Sequence, residues 1–188
     1  MTETTATATA LRDLDGTYAI DASHSRVGFS TRHAMVTKVR GAFNEIEGTA
    51  TTGPDLEGAS IQVTMQVASV DTRSGDRDGH LKSADFFDAE TYPTITFTST
   101  EVSAVDDETL RVTGDLTIKD VTRPVTVDFE YAGAATDPFG NERIGFEGST
   151  VVNRKDFGLT WNAALETGGV LVADKVTLEF EISAIKSA

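Results

Sequence analysis

Strict alternation of apolar and polar residues constrains this chain more than any other feature of its sequence. Ile61, Val63, Met65 and Val67 alternate with Gln62, Thr64 and Gln66, and Leu110, Val112, Gly114, Leu116 and Ile118 alternate with Arg111, Thr113, Asp115 and Thr117. The same pattern fills 125–131 and 176–183, with shorter versions at 27–33, 39–47, 95–99 and 144–152. A period of two sends successive side chains to opposite faces, so each run reads as a half-buried strand. The many Thr and Val residues suit a pleated surface.

Turn chemistry separates the runs: Gly53-Pro54-Asp55, Asp106-Asp107, Arg123-Pro124, Asp137-Pro138 and Gly168-Gly169. About eight strands on short connections predict an all-β, antiparallel chain, either a sandwich or a closed barrel. One segment differs. Around 79–89, Leu81, Ala84 and Phe87 fall on one side at helical spacing, and Tyr92-Pro93 ends the run. A length of 188 residues suits one domain, placed here at 17–188. Residues 1–16 read as a flexible Thr- and Ala-rich tail without the basic start and apolar centre of a secretory signal, which predicts a cytoplasmic protein. No apolar run approaches the ~20 residues of a membrane helix, so no stable membrane insertion is expected.

Charge and residue types then exclude several functions. With 16 basic against 30 acidic residues and a net charge of -14, nucleic acid is a poor partner, and so is an anionic membrane for the surface as a whole. The absence of cysteine removes thiol catalysis and Cys-ligated zinc. His24 and Ser25 are neighbours in an extended segment and point apart, and no G-x-S-x-G elbow exists. His24, His33 and His80 lack metal-ligand spacing. Asp76-Arg77-Asp78-Gly79 resembles the opening of a calcium loop but lacks the glycine at its sixth position and the glutamate at its twelfth, and reads as the lead-in to the helix. No catalytic residue, metal or cofactor is assigned.

Two features remain. Residues 22–44 carry no acidic side chain yet hold Arg26, Arg32, Lys38, Arg40 and two histidines. They form either a strand pair salt-bridged to acidic neighbours or a local positive mouth for an anionic or polar ligand end. The ten phenylalanines are the other feature. Phe29, Phe43, Phe97, Phe129, Phe146 and Phe180 lie on apolar strand faces; Phe86, Phe87 and Phe157 lie in connections. A small barrel can fill its interior with such side chains or keep room for one ligand, and alternation does not choose between these.

Four ordered motifs resemble the YceI-like family of polyisoprenoid-binding proteins: YAIDASHSRVGFSTRHAMVTKVRGAF from Tyr18 to Phe43, SVDTRSGDRDGHLKSADFFDAETYPTITFTS from Ser69 to Ser99, GDLTIKDVTRPVTV from Gly114 to Val127, and RKDFGLTWN from Arg154 to Asn162. The resemblance covers about Thr17 to Ile185 and departs at Asp120, where relatives often have Gly. It implies an extended, lipocalin-like, eight-stranded antiparallel barrel with one short helix. Its implied ligand is a polyisoprenoid or isoprenoid quinone-type lipid, bound for carriage, storage or sequestration without catalysis. A structural or stress-response barrel with a filled core, and a lipid-modifying enzyme, are the alternatives; a homodimer is left open. On this reading Phe29, Phe43, Phe97, Leu116, Phe129 and Phe146 line the lipid tunnel from the strand faces. The matched motifs add Met35 and Trp161. Phe86 and Phe87, adjacent on the helix, are expected to divide between facing the barrel and covering its edge. His33, two residues beyond Thr31 on the inward face, is expected at the polar end of the pocket.

Overall fold

Among the described residues, eleven strand segments form one antiparallel sheet that closes on itself. This computed structural model describes residues 9–187. Segments β1 (Gly16–Ile20) and β2 (Arg26–His33) follow one another along β11 (Lys175–Lys186), with Ala19 opposite Ile185 and Val27 opposite Phe180. β3 (Thr37–Phe43) and β4 (Ile46–Thr52) pair back on them, Phe43 opposite Val27 and Ala50 opposite Tyr18. β5 (Ser60–Gln66) and β6 (Val70–Asp71) continue the series on β4 and β3. Three long strands are therefore each broken once, and with β7 (Thr94–Ala104), β8 (Thr109–Ile118), β9 (Val121–Thr136), β10 (Glu142–Asn153) and β11 they make an eight-stranded closed barrel. The breaks keep their backbone groups bonded: Asp21 N–H donates to Ser183 O (2.8 Å), Asn44 N–H to Ser69 O (3.2 Å) and Gln66 N–H to Glu45 O (2.9 Å). The sheet bends there without losing closure.

Several local readings change. The run at 39–47 spans two segments, because the chain breaks at Asn44-Glu45. Arg123-Pro124 is not a turn but lies inside β9. β10 pairs with β9 only from Asp128 onward, so Pro124 sits where one strand edge has no ladder to serve. The turn falls instead at Lys119 and Asp120, both at positive φ (51° and 63°), a conformation that Asp tolerates. The helix, α1, is Gly75–Lys82 and ends before Phe86 and Phe87. Its start is set by the Ser74 side chain, which accepts from Arg77 N–H, and by Asp78, which accepts from the Thr72 N–H (2.8 Å) and hydroxyl (2.6 Å).

The segment read as a flexible tail needs correcting over 9–16; residues 1–8 lie outside the described residues. Leu11 and Leu14 are 0% and 4% exposed and close one end of the barrel with Leu56 and Tyr18. A short 3-10 turn (Leu11–Asp13) spaces the two leucines three apart, so both reach the same apolar floor. The opposite end is closed by α1, the 83–92 connection, the 3-10 turn Arg154–Phe157 and the 159–173 loop.

Near the floor, Arg143 bridges two carboxylates, donating at 2.7 Å to Asp21 and at 2.7 Å to Asp137. Arg143, then Ser23 and His24, hold the Asp21 carboxyl far below the usual range. At Asp137 burial works the other way, but Arg143, Asn141 and backbone N–H groups outweigh it and leave that pKa far below normal too. A depressed folded pKa contributes stability that is present above the unfolded value and is lost as pH falls through the folded one. Arg143→Met is therefore expected to lower Tm by several degrees at pH 7. That gap should shrink as pH falls below about 4, where free aspartates begin to protonate. Thermal unfolding of both proteins at neutral and acidic pH checks this; a gap constant with pH would show that the triad is not electrostatically coupled to folding.

Candidate functional site: an apolar lumen

The inward faces of the strands do not meet across the barrel. They leave a cavity of about 290 Å³ whose wall is almost wholly carbon. Glycines keep it open. Phe29 sits opposite Gly41 and Phe129 opposite Gly148, while Phe97 reaches diagonally to Gly114. Each ring occupies the space a Cβ would need: at Gly114 that atom would lie 2.5 Å from the Phe97 ring, and at Gly148 2.9 Å from Phe129. The rings therefore fold back over the wall rather than project into the lumen. Phe97 and Phe129 touch both core clusters, one at each end, and mark the middle of the cavity.

Phe29, Phe43, Phe97, Leu116, Phe129 and Phe146 all line the cavity, as do Phe86 and Phe87. These two follow α1 in an irregular turn, so both reach the lumen instead of dividing between interior and edge. Phe87 meets Phe43 edge-on with centroids 5.8 Å apart. Three residues expected at the site are elsewhere. His33 is exposed at the end of β2, bridging to Val172; Thr31 lines the cavity, but the barrel wall stops before the next inward position. Met35 is 65% exposed in the β2–β3 turn. Trp161 belongs to the lid, edge-on to His80 (4.6 Å between centroids) and 5.4 Å from Phe86.

The lid is organised by Arg154, the one charged side chain on the cavity wall among the described residues. Its Nε donates to Ala173 O (2.9 Å), Nη1 to Leu159 O (2.7 Å) and Trp161 O (2.8 Å), and Nη2 to Val172 O (3.3 Å). Only 4% of the residue is exposed. Burial pushes its pKa down and Asp174, 3.7 Å away, pulls it back; a guanidinium stays charged under such opposing effects. Asn162 adds a second clamp, donating to Val172 O (2.8 Å) and accepting from Val172 N–H (3.0 Å).

Sequence reading missed Arg154, Leu81 and Leu159 at the lid and Leu14, Tyr18 and Leu56 at the floor. Leu14 carried a faint signal, an apolar pair with Leu11 ahead of the first strand. Arg154 opens the matched 154–162 motif, but its role carried no signal, because its partners are backbone carbonyls of a loop whose course depends on the whole fold. Chemically, the lumen offers contact area and little else. On the outer surface Ser23, His24 and Asp21 do meet, but the Ser23 hydroxyl (3.1 Å) and the Asp21 carboxylate (2.7 Å) share one ring nitrogen, Nδ1. A proton relay needs them on opposite nitrogens.

Comparison with known proteins gives a consistent picture. Residues 18–184 match the model of the YceI-like domain. A UPF0312 protein of Vibrio cholerae is 38% identical over 145 residues, spanning 76% of this chain and 77% of its own. A UPF0312 protein of Staphylococcus aureus is 36% identical over 170 residues, spanning 89% and 95%. Among solved structures, BcnA of Burkholderia cenocepacia superposes with a TM-score of 0.76 at 28% identity, covering 87% of this chain and 98% of that one. The Campylobacter jejuni YCEI protein gives 0.71 at 31%, covering 84% and 90%. A polyisoprenoid binding domain from Saccharophagus degradans gives 0.69 over 90% of this chain and 98% of that one; at 16% identity it speaks to fold alone.

Proposed function

We propose, from the premise that this chain belongs to the YceI-like family, that it binds one long apolar isoprenoid-type lipid in its lumen and carries, stores or sequesters it without chemistry. The observation that supports this most is the carbon-walled cavity of about 290 Å³. Native interiors hold few voids larger than a water molecule. At about 24 cal/mol per Å³, a dry void of this size would cost on the order of 7 kcal/mol, comparable to the whole stability of a typical domain. A ligand with matching apolar surface removes that cost.

The gain on the ligand side is similar in scale. Taking roughly 400–600 Å² of lipid out of water at about 25 cal/mol per Å² is worth about 10–15 kcal/mol before the cost of ordering a flexible chain, which consumes a large share. Binding through purification follows from burial, with no hydrogen bond required. A barrel with a filled core is disfavoured by the glycine-backed rings that hold the lumen open. Mass spectrometry of an organic extract of the purified protein should return a long-chain isoprenoid or isoprenoid quinone-type lipid near one per chain. An extract without lipid, from a protein that also takes up no long-chain isoprenoid alcohol on incubation, refutes the reading.

A further inference from the structure

We infer that the β2–β3 tip, together with the 163–172 loop, docks the lid end of the barrel on an anionic lipid bilayer. The purpose rests on the carrier reading above; the docking itself is read from the surface. Met35 and Val36 at the tip are 65% and 73% exposed, and Val170 of the neighbouring loop is 41% exposed. The two loops are one unit: Ala34 N–H donates to Leu171 O (2.7 Å), Ala173 N–H to Arg32 O (3.1 Å), and the Met35 sulfur fills the space above Gly169. An exposed apolar tip of this kind suits insertion among lipid headgroups.

Charge selects the membrane over other apolar partners. Arg32 and Lys38 are directly opposite across β2 and β3, and Arg40 follows on the same outer face. Like charges in that arrangement repel. Among the described residues none of the three has a carboxylate within 4 Å, whereas Arg26, deeper in the same strand pair, is paired with Glu179 at 3.0 Å. His33 and Lys175 are exposed alongside. On the loops themselves the acidic residues are Glu166, exposed near the hairpin turn, and Asp174, engaged by Lys155 (3.3 Å). In a chain of net charge -14 this concentrates unpaired cations at one end. The floor end carries Asp13, Asp15, Asp106, Asp107 and Glu142, which an anionic surface would repel. The lid end also carries Asp76, Asp78, Asp85, Asp88, Glu90 and Asp156, offset by Arg73, Arg77, Lys82 and Lys155, so the cationic excess lies on the β2–β3 tip, and it is this tip that an anionic bilayer draws in. Cavity-lining Thr31 and Val172 lie next to Arg32 and Leu171, so docking brings the lumen close to the lipid.

Sedimentation with phosphatidylglycerol–phosphatidylcholine vesicles tests this directly. The wild type should sediment with these and not with pure phosphatidylcholine vesicles, and added salt should release it. Lys38→Glu should weaken binding fivefold or more, about the factor that one surface cation contributes near an anionic leaflet. Lys186→Glu, which changes net charge equally at the floor end, should not. Met35→Ser combined with Val36→Ser should weaken binding with only a small change in Tm, since both side chains are mostly exposed, though Met35 packs on Gly169. Failure of the wild type to sediment, or equal loss in Lys38→Glu and Lys186→Glu, overturns the docking. Because extraction reads cargo and sedimentation reads docking, a protein that carries lipid but ignores vesicles overturns this inference alone, and one that sediments but carries no lipid overturns only the carrier reading.

Discussion

On the proposed carrier function, Val63→Trp should weaken lipid binding sharply while leaving the protein folded. Val63 lines the cavity, faces Phe97 across the β5–β7 pair and has Gly48 on its other side, where the Ile20 side chain already fills the space above the backbone. An indole there has only the lumen to enter. If it displaces about 100 Å² of ligand contact, at about 25 cal/mol per Å² it removes about 2.5 kcal/mol, or roughly 70-fold in affinity. The cost to the fold should be about 1–3 kcal/mol, the usual range for overpacking, and smaller if the ring fits the cavity without strain. Lipid recovered by extraction and uptake of a long-chain isoprenoid alcohol measure the first effect; thermal unfolding measures the second. Wild-type affinity for the isoprenoid alcohol in a folded Val63→Trp protein would place the proposed cargo outside the lumen.

Arg154→Met should destabilise the protein strongly by loosening the lid. The guanidinium satisfies carbonyls of Leu159, Trp161, Val172 and Ala173 in a setting that excludes most water. Removing it leaves several buried acceptors unmade, each worth about 1–3 kcal/mol, with some relief as the loop opens to water. A net loss of about 3–5 kcal/mol is expected, in line with broken buried charge networks. Arg154→Lys should recover only part of it, since one ammonium cannot reproduce the fork that reaches four oxygens. Hydrogen exchange should show the 159–173 segment losing protection first. A loss under about 1 kcal/mol, with that segment still protected, would mean that the loop is held by packing rather than by Arg154.

The division between what was legible in the chain and what was not follows a physical line. Alternation over 61–66, 110–118, 125–131 and 176–183 determined that these segments are strands and which face of each is apolar, because a period of two is local. It placed Phe29, Phe43, Phe97, Leu116, Phe129 and Phe146 on inward faces, where they line the cavity. Local pattern failed where a residue's setting is decided by a distant partner. Pro124 reads as a turn until the short reach of β10 is known. Leu11 and Leu14 read as tail until the floor around Leu56 exists to receive them. His33 continues an inward series that Thr31 ends, since the height of the barrel wall depends on all eight strands together. Whether the interior is filled or open was also beyond alternation: it turns on Phe97 and Phe129 folding over Gly114 and Gly148, diagonal and cross-strand contacts that only the closed register creates. Arg154 is the extreme case, a charge whose role is set by four backbone oxygens of a loop that only the tertiary structure brings to it.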